Sequence, residues 1–453
     1  MKRSRRGSVP LLWKSTWALV LWMIPHTAAA QTASMTLTEA LNAAAAHSPV
    51  IGAAARQREA AEARTKEAAS GLYPQLSLTA GYTRHQEPNV IVPIHQVGVF
   101  PPLDDQIYET SIRLRVPIFS GGRTRANKRA AEAGVLESSV WEDQVRIDLI
   151  EGVAQIFILA REQRDRADLI TARIHLLQRR RDELSLLLNE GRVSPADIAQ
   201  VTAAAEAARA DSIEVEGKRS ELAIRLGQLI GSGERVYPVD ENPAPASDPE
   251  SARVFLEFQA DAGVPVGPRA AKARAQVARA KALHALARRS YWPDISGFAA
   301  RAYRAGGDLE PVGEWAAGIN LRLPLFEGGR HLASTKAATA SLRSAEYALQ
   351  AAAAAEAADR QIALEQQESA RARRRYIAAA VRSKRSSVVA TRELYRAGRV
   401  SLSDLLVQEM DLLQLQIQER GAAYAEMTAI LRYHAVAGRL TAQSVSEIVR
   451  RKI

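Results

Sequence analysis

The side chains able to do covalent or metal chemistry are few and badly placed for it. Beyond the first 30 residues the histidines are His47, His85, His95, His175, His284, His331 and His434, and none shares the spacing of a metal site. There is no cysteine, which excludes a disulfide framework, a cysteine–zinc site, a thiol nucleophile and a lipid-bearing cysteine behind a leader. Gly121-Gly122 and Gly328-Gly329 sit where strand patterns give way to helix patterns and do not form a phosphate-cradling loop. Carboxylates fall mostly along helical stretches, where solvated partners of Lys and Arg are the default reading. These residues argue against an enzyme and call for no cofactor and no metal. The charged residues with special placement are of two other kinds. Arg113, Arg115 and Arg322 stand on one face of alternating segments, and Asp197 and Asp404 each follow a serine by three residues.

The elements that position them begin with a leader. Lys2, Arg3, Arg5 and Arg6 precede a short apolar run from Thr16 to Ile24, broken by Pro25, with small residues at Ala28 and Ala30. This is the layout of a cleaved secretory signal over residues 1–30. Removing it takes the formal charge from +11 to +6, and the basic residues that remain alternate with acidic ones, so nucleic acid is not an expected partner. No later run is long and apolar enough for a transmembrane helix, so any membrane span must be a closed β-barrel.

The chain is an internal duplication. Val116-Pro117-Ile118-Phe119-Ser120-Gly121-Gly122-Arg123 matches Leu323-Pro324-Leu325-Phe326-Glu327-Gly328-Gly329-Arg330, and Gly191-Arg192-Val193-Ser194 matches Gly398-Arg399-Val400-Ser401, both at an offset of 207. Each copy reads as helix, two strands, a very long helix and a return helix. The first copy spans 36–230, with helices over 36–72, strands at 75–85 and 108–118, a long helix over 123–190 and a return helix over 194–230. The second spans 269–440, with a helix over 269–290, strands at 294–304 and 314–325, a long helix over 330–397 and a return helix over 401–438. A linker over 231–268, with a short helix around Val254 to Gln259, joins them, and 441–453 is a short helix or tail. Gly191 and Gly398 suit the left-handed residue that ends a helix. Ser194 and Ser401 with Asp197 and Asp404 suit the caps of the return helices.

The strands alternate. Tyr108, Thr110, Ile112, Leu114 and Val116 oppose Glu109, Ser111, Arg113 and Arg115; Trp315, Ile319, Leu321 and Leu323 oppose Glu314, Asn320 and Arg322. The strand after Pro293 is ambiguous, because Phe298 and Tyr303 fall on opposite faces. A soluble sheet has the same period. The leader and the aromatics at strand ends (Tyr73, Phe119, Trp292, Phe326) favour a membrane barrel whose lumen is lined by Arg113, Arg115 and Arg322. Four strands cannot close a barrel. Two chains would supply eight strands and a filled interior, three chains twelve strands and a channel.

This layout resembles the TolC-like outer membrane factor family over about Thr36 to Leu440. The residues that carry the resemblance are the break at Ser48-Pro49, Leu72-Tyr73-Pro74-Gln75-Leu76, the two Pro-x-Phe-x-Gly-Gly-Arg motifs, and Tyr395-Arg396-Ala397-Gly398-Arg399 followed by Asp404-Leu405-Leu406. The resemblance implies a mainly α protein with a membrane β part. It implies a homotrimer with a twelve-stranded barrel in outer-membrane lipid, a helical tunnel across the periplasm and an equatorial belt built from the linker. The implied function is a passive exit duct of a tripartite efflux or type I secretion system, working with a periplasmic adaptor and an inner-membrane RND or ABC transporter. Docking of the adaptor then falls on Gly191, Arg192, Val193, Ser194, Tyr395, Gly398, Arg399, Val400 and Ser401. Asp404 matches the first of two acidic aperture residues, while Val407 departs from the second. Asp404 is therefore read either as an aperture carboxylate or as the cap of Ser401. The rival function is a periplasmic coiled-coil adaptor, which would need no duplicated strands with a lipid-like face.

Overall fold

The computed structural model of the protein describes residues 32–91, 98, 100–191, 193–239 and 267–452. The leader, the short helix expected around Val254 to Gln259, and Arg192 lie outside these residues. In chain order the described elements are β1 (Thr32–Met35), α1 (Leu37–His47), α2 (Pro49–Ser70), β2 (Gln75–Val90), β3 (Leu103–Phe119), α3 (Arg123–Asn189), α4 (Pro195–Ile230), β4 (Arg235–Pro238), α5 (Pro268–Arg288), β5 (Asp294–Ala305), β6 (Val312–Arg322), α6 (Arg330–Arg396), α7 (Leu402–Val436) and α8 (Ala442–Lys452).

The two long helices, α3 and α6, each run for 67 residues, about 100 Å at 1.5 Å per residue. Both start from a Gly-Gly turn with four positive φ angles, Gly121 at 58°, Gly122 at 75°, Gly328 at 57° and Gly329 at 80°. At Gly121 the turn also passes so close to Trp292 that a Cβ would lie 1.9 Å from the Trp292 Cβ. That left-handed pair turns the chain into the long helix, one residue after β3 in the first copy and five residues after β6 in the second, in a conformation in which side chains with a Cβ are strained. Each long helix folds back on its return helix, giving the hairpins α3–α4 and α6–α7, and α2, α3, α5 and α6 lie side by side. Alanine permits these close axial approaches and favours helix over so long a run.

The four-stranded sheet has the order β2-β3-β5-β6, antiparallel throughout, so the duplicate halves join through β3 and β5. β2 and β3 extend beyond the expected 75–85 and 108–118, because Asn89 and Val90 still pair with Asp104 and Leu103 past an irregularity that follows Arg84. β6 ends at Arg322, short of the expected 325, where Pro324 has no N–H to give a ladder. The ambiguous strand resolves through its partners: Phe298 lies beside Gly318 and Tyr303 beside Gly313, each ring lying flat over a residue without a side chain.

The main apolar core sits at mid-length of the helical layer. Phe157, Ile158 and Val153 of α3 meet Leu37 and Leu41 of α1, Leu226 and Ile230 of α4, and Met427 and Leu431 of α7. Both chain ends contribute. β1 pairs in parallel with β4, inside the segment expected to be linker, and α8 buries Val445, Ile448 and Val449. The core at this level is thus built in part from residues 32–47, 226–238 and the C-terminal helix, with 240–266 outside the description. The expected tail at 441–453 carries its apolar residues at i, i+3 and i+4, enough to form one buried helical stripe. At one end of this region α5 has no cap of its own. Its Ala270 N–H donates to the Glu356 carboxylate of α6 at 3.1 Å, and Arg360 holds the same group at 2.6 Å.

Candidate functional site: the hairpin tips and the junction cavity

The hairpin turns are built alike. Gly191 and Gly398 hold φ angles of 70° and 69°, and each donates its N–H back to the helix it ends, to Leu188 and Tyr395, at 2.9 Å. Each return helix then starts from a reciprocal cap. Ser194 N–H donates to Asp197 Oδ2 at 2.9 Å and Asp197 N–H to Ser194 Oγ at 3.3 Å; Ser401 N–H donates to Asp404 Oδ2 at 3.2 Å and Asp404 N–H to Ser401 Oγ at 3.1 Å. Hydrogen bonds from Ser401 hold the Asp404 carboxyl below its ordinary value. The structure therefore gives Asp404 the cap through Oδ2, on an exposed turn, and Val407 is exposed beside it.

The tips come together. A cleft of about 940 Å³ is lined by Gly191, Val193 and Ser194 from the first turn and by Tyr395, Gly398, Val400 and Ser401 from the second. Behind it Leu402, Leu405 and Leu406 of α7 pack on Leu177 and Leu184 of α3 and Val201 of α4. Arg399 does not line the cleft, and Arg192 is outside the described residues.

Below the tips lies an ionic network that sequence reasoning missed. Glu409 of α7, only 4% exposed, accepts from Arg180 of α3 at 2.9 Å and from Arg392 of α6 at 2.7 Å. Arg180 also pairs with Glu183 at 2.6 Å, and Glu183 accepts from the Tyr395 hydroxyl at 3.0 Å. The network ties one hairpin to the other. Charged residues are so frequent on these helices that none of the four looked special. One signal was available: at the offset of 207, Tyr395 corresponds to Leu188 and Glu409 to Thr202, so the network breaks the symmetry of the duplication.

At the other end of the long helices a cavity of about 2030 Å³ lies between the sheet and the layer of α2, α3, α5 and α6. Arg113, Arg115 and Arg322 all line it, together with Asp294, Ser296 and Phe298 of β5. Asp294 bridges Arg115 at 3.4 Å and Arg123 at 2.8 Å. The opposite face of the same sheet is apolar and open: Leu78, Trp315 and Ile319 are 69%, 77% and 71% exposed. A soluble sheet does not leave a row of this kind in water.

A sheet with one lipid-like and one charged face, standing on helices about 100 Å long, defines the class as a membrane-anchored duct-type subunit. The family model described as outer membrane efflux protein matches residues 40–232 and 268–439, and the chain belongs to that family. It is accordingly a protein of the outer membrane that extends into the periplasm, in a family that is not one of enzymes. Among solved structures it is similar to the outer membrane protein VceC of Vibrio cholerae, with a TM-score of 0.73 and 18% identity over 89% of this chain and 96% of that one. The CmeC outer membrane channel of Campylobacter jejuni gives a TM-score of 0.74 at 17% identity, over 92% of this chain and 89% of that one. A curated relative, the probable efflux pump outer membrane protein SepC of Pseudomonas putida, is 24% identical over 270 residues, 58% of this chain. That match spans 53% of the relative, about half its length.

Proposed function

We propose that three copies of this chain close a twelve-stranded barrel and a helical tunnel, forming the passive exit duct of a tripartite efflux or type I secretion system. The observation that carries this reading is the sheet: its outer face is apolar and exposed, and its edges, β2 and β6, are unpaired among the described residues. Unpaired edges in lipid are untenable, so further chains must complete the ladder. A second observation supports the assembly. α6 packs chiefly on α5 and α7 and leaves Leu332, Tyr347, Ile362 and Tyr376 exposed, a stripe that a neighbouring protomer would cover.

In this reading the cleft at Gly191 to Ser194 and Tyr395 to Ser401 receives a periplasmic adaptor, with an RND or ABC transporter in the inner membrane supplying the energy. Opening spreads the two hairpins and breaks the Arg180–Glu409 and Tyr395–Glu183 contacts. Oδ2 of Asp404 holds the cap, and the exposed carboxylate would serve as the aperture group in the assembled duct. The test is purification of the mature chain with and without detergent, followed by mass measurement and planar-bilayer recording. A detergent-dependent trimer that conducts ions supports the duct. A soluble monomer without detergent leaves the coiled-coil adaptor as the better reading.

A further inference from the structure

We infer that the junction between barrel and tunnel is a cationic ring that selects small anionic solutes as cargo. This rests on the duct reading, which makes the junction cavity part of a continuous lumen. Arg and Lys outnumber Asp and Glu around the cavity by eight to four. The four acids do not neutralise the excess. Asp294 is already shared by Arg115 and Arg123, Glu137 is taken by Arg279 at 2.9 Å, and Glu327 faces His331 at 2.9 Å, which leaves Glu67 without an ion pair among the described residues. Arg64, Arg113, Arg322 and Arg330 line the same space and have no ion-pair partner among the described residues.

The excess is local. On the same inner face nearer the outer end of the strands, Arg304 is matched by Glu109 at 3.3 Å and by Glu314 at 4.0 Å. At the tips, Asp197 and Asp404 are held in helix caps. The net charge left at the junction is therefore +4 per chain, repeated around the threefold axis. Twelve strands spaced about 4.8 Å apart and tilted by roughly 40° enclose a ring about 24 Å across at the backbone. Arginine side chains reach inward from that wall. Little of the opening then lies beyond about 8 Å, one physiological Debye length, from a guanidinium. The wall behind the arginines is apolar and lipid-facing, so field lines are confined to the lumen and the local concentration of anions rises. Guanidinium also suits carboxylate, sulfate and phosphate groups by its planar fork.

The experiment is reversal-potential measurement on purified trimers in planar bilayers under a tenfold KCl gradient. Tyr395→Phe with Glu409→Gln serves as the background, so that a closed tip does not set the selectivity. The expected chloride-to-potassium permeability ratio is above about 3. Arg113→Glu with Arg322→Glu takes the junction from +4 to zero net charge per chain and should bring the ratio to about 1, a change of at least about threefold, and Arg113→Lys with Arg322→Lys should keep it. Both pairs project into water, and the trimer mass is checked for each. A cation-preferring parent, or a ratio that the charge reversal does not move, would overturn the inference while leaving the duct intact. Trimers that carry no current at all would remove the duct reading, and the inference with it.

Discussion

Replacing Glu409 with glutamine probes the contact that locks one hairpin to the other. The substitution preserves shape and deletes one charge at a position 4% exposed, between Arg180 at 16% and Arg392 at 45%. A hydrogen bond to a charged group contributes about 1.5–3 kcal/mol, and two such partners are weakened together. The Arg392 side is discounted for its solvent exposure, and Arg180 keeps Glu183 as a partner. The net loss is about 2 kcal/mol per chain, a factor of roughly 30 in the balance between joined and parted tips. In a trimer the three contributions add if the tips open in concert, about 6 kcal/mol in all. Single-channel recording should show more frequent and larger openings in Glu409→Gln than in the parent, with unchanged trimer mass. Identical conductance at identical assembly would refute the idea that this network holds the tips together.

Four further outcomes follow from the geometry. At Gly191 and Gly398 an added Cβ meets nothing within 4 Å, so alanine should cost only the left-handed backbone term, about 1 kcal/mol each by thermal melting. A tryptophan at either site should abolish export while the trimer still assembles, because the obstruction then lies on the proposed docking surface. Gly227→Ala should destabilise by at least about 2 kcal/mol, since its Cβ would fall 1.8 Å from the Glu234 carbonyl oxygen and push away the strand that pairs with β1; a melting temperature equal to the parent's would refute the close approach. The Asp404 carboxyl is depressed in the folded chain by hydrogen bonds from Ser401, so its contribution is complete above the ordinary value of 3.8 and is lost as pH falls through the lower folded value. Melting curves between pH 5 and pH 3 should therefore steepen their decline at the acid end for the parent and flatten in Asp404→Ala.

What the chain order alone determined was whatever depends on local pattern. The duplication at an offset of 207, the helix caps at Ser194 and Ser401, the left-handed glycines and the alternating faces of β3 and β6 all follow from residue type and spacing within a few positions. Those rules act through steric limits on φ and ψ and through hydrogen bonds that close inside one turn, so no partner element is needed to read them. The placement of Arg113, Arg115 and Arg322 on one face followed in the same way from the period of two. Tertiary structure decided the rest. The β1–β4 pair joins residues about 200 positions apart, and among the described residues α8 packs chiefly against α1 and α7. The Arg180–Glu409 contact spans 229 positions, between helices whose charge patterns are alike along their length. Which charge meets which across a helix layer depends on the rotation and axial offset of whole helices. That offset is set by apolar packing on both sides of the network, of Phe157, Leu226 and Met427 at mid-length and of Leu177, Leu184 and Leu405 near the tip, and a short stretch of sequence carries no record of it.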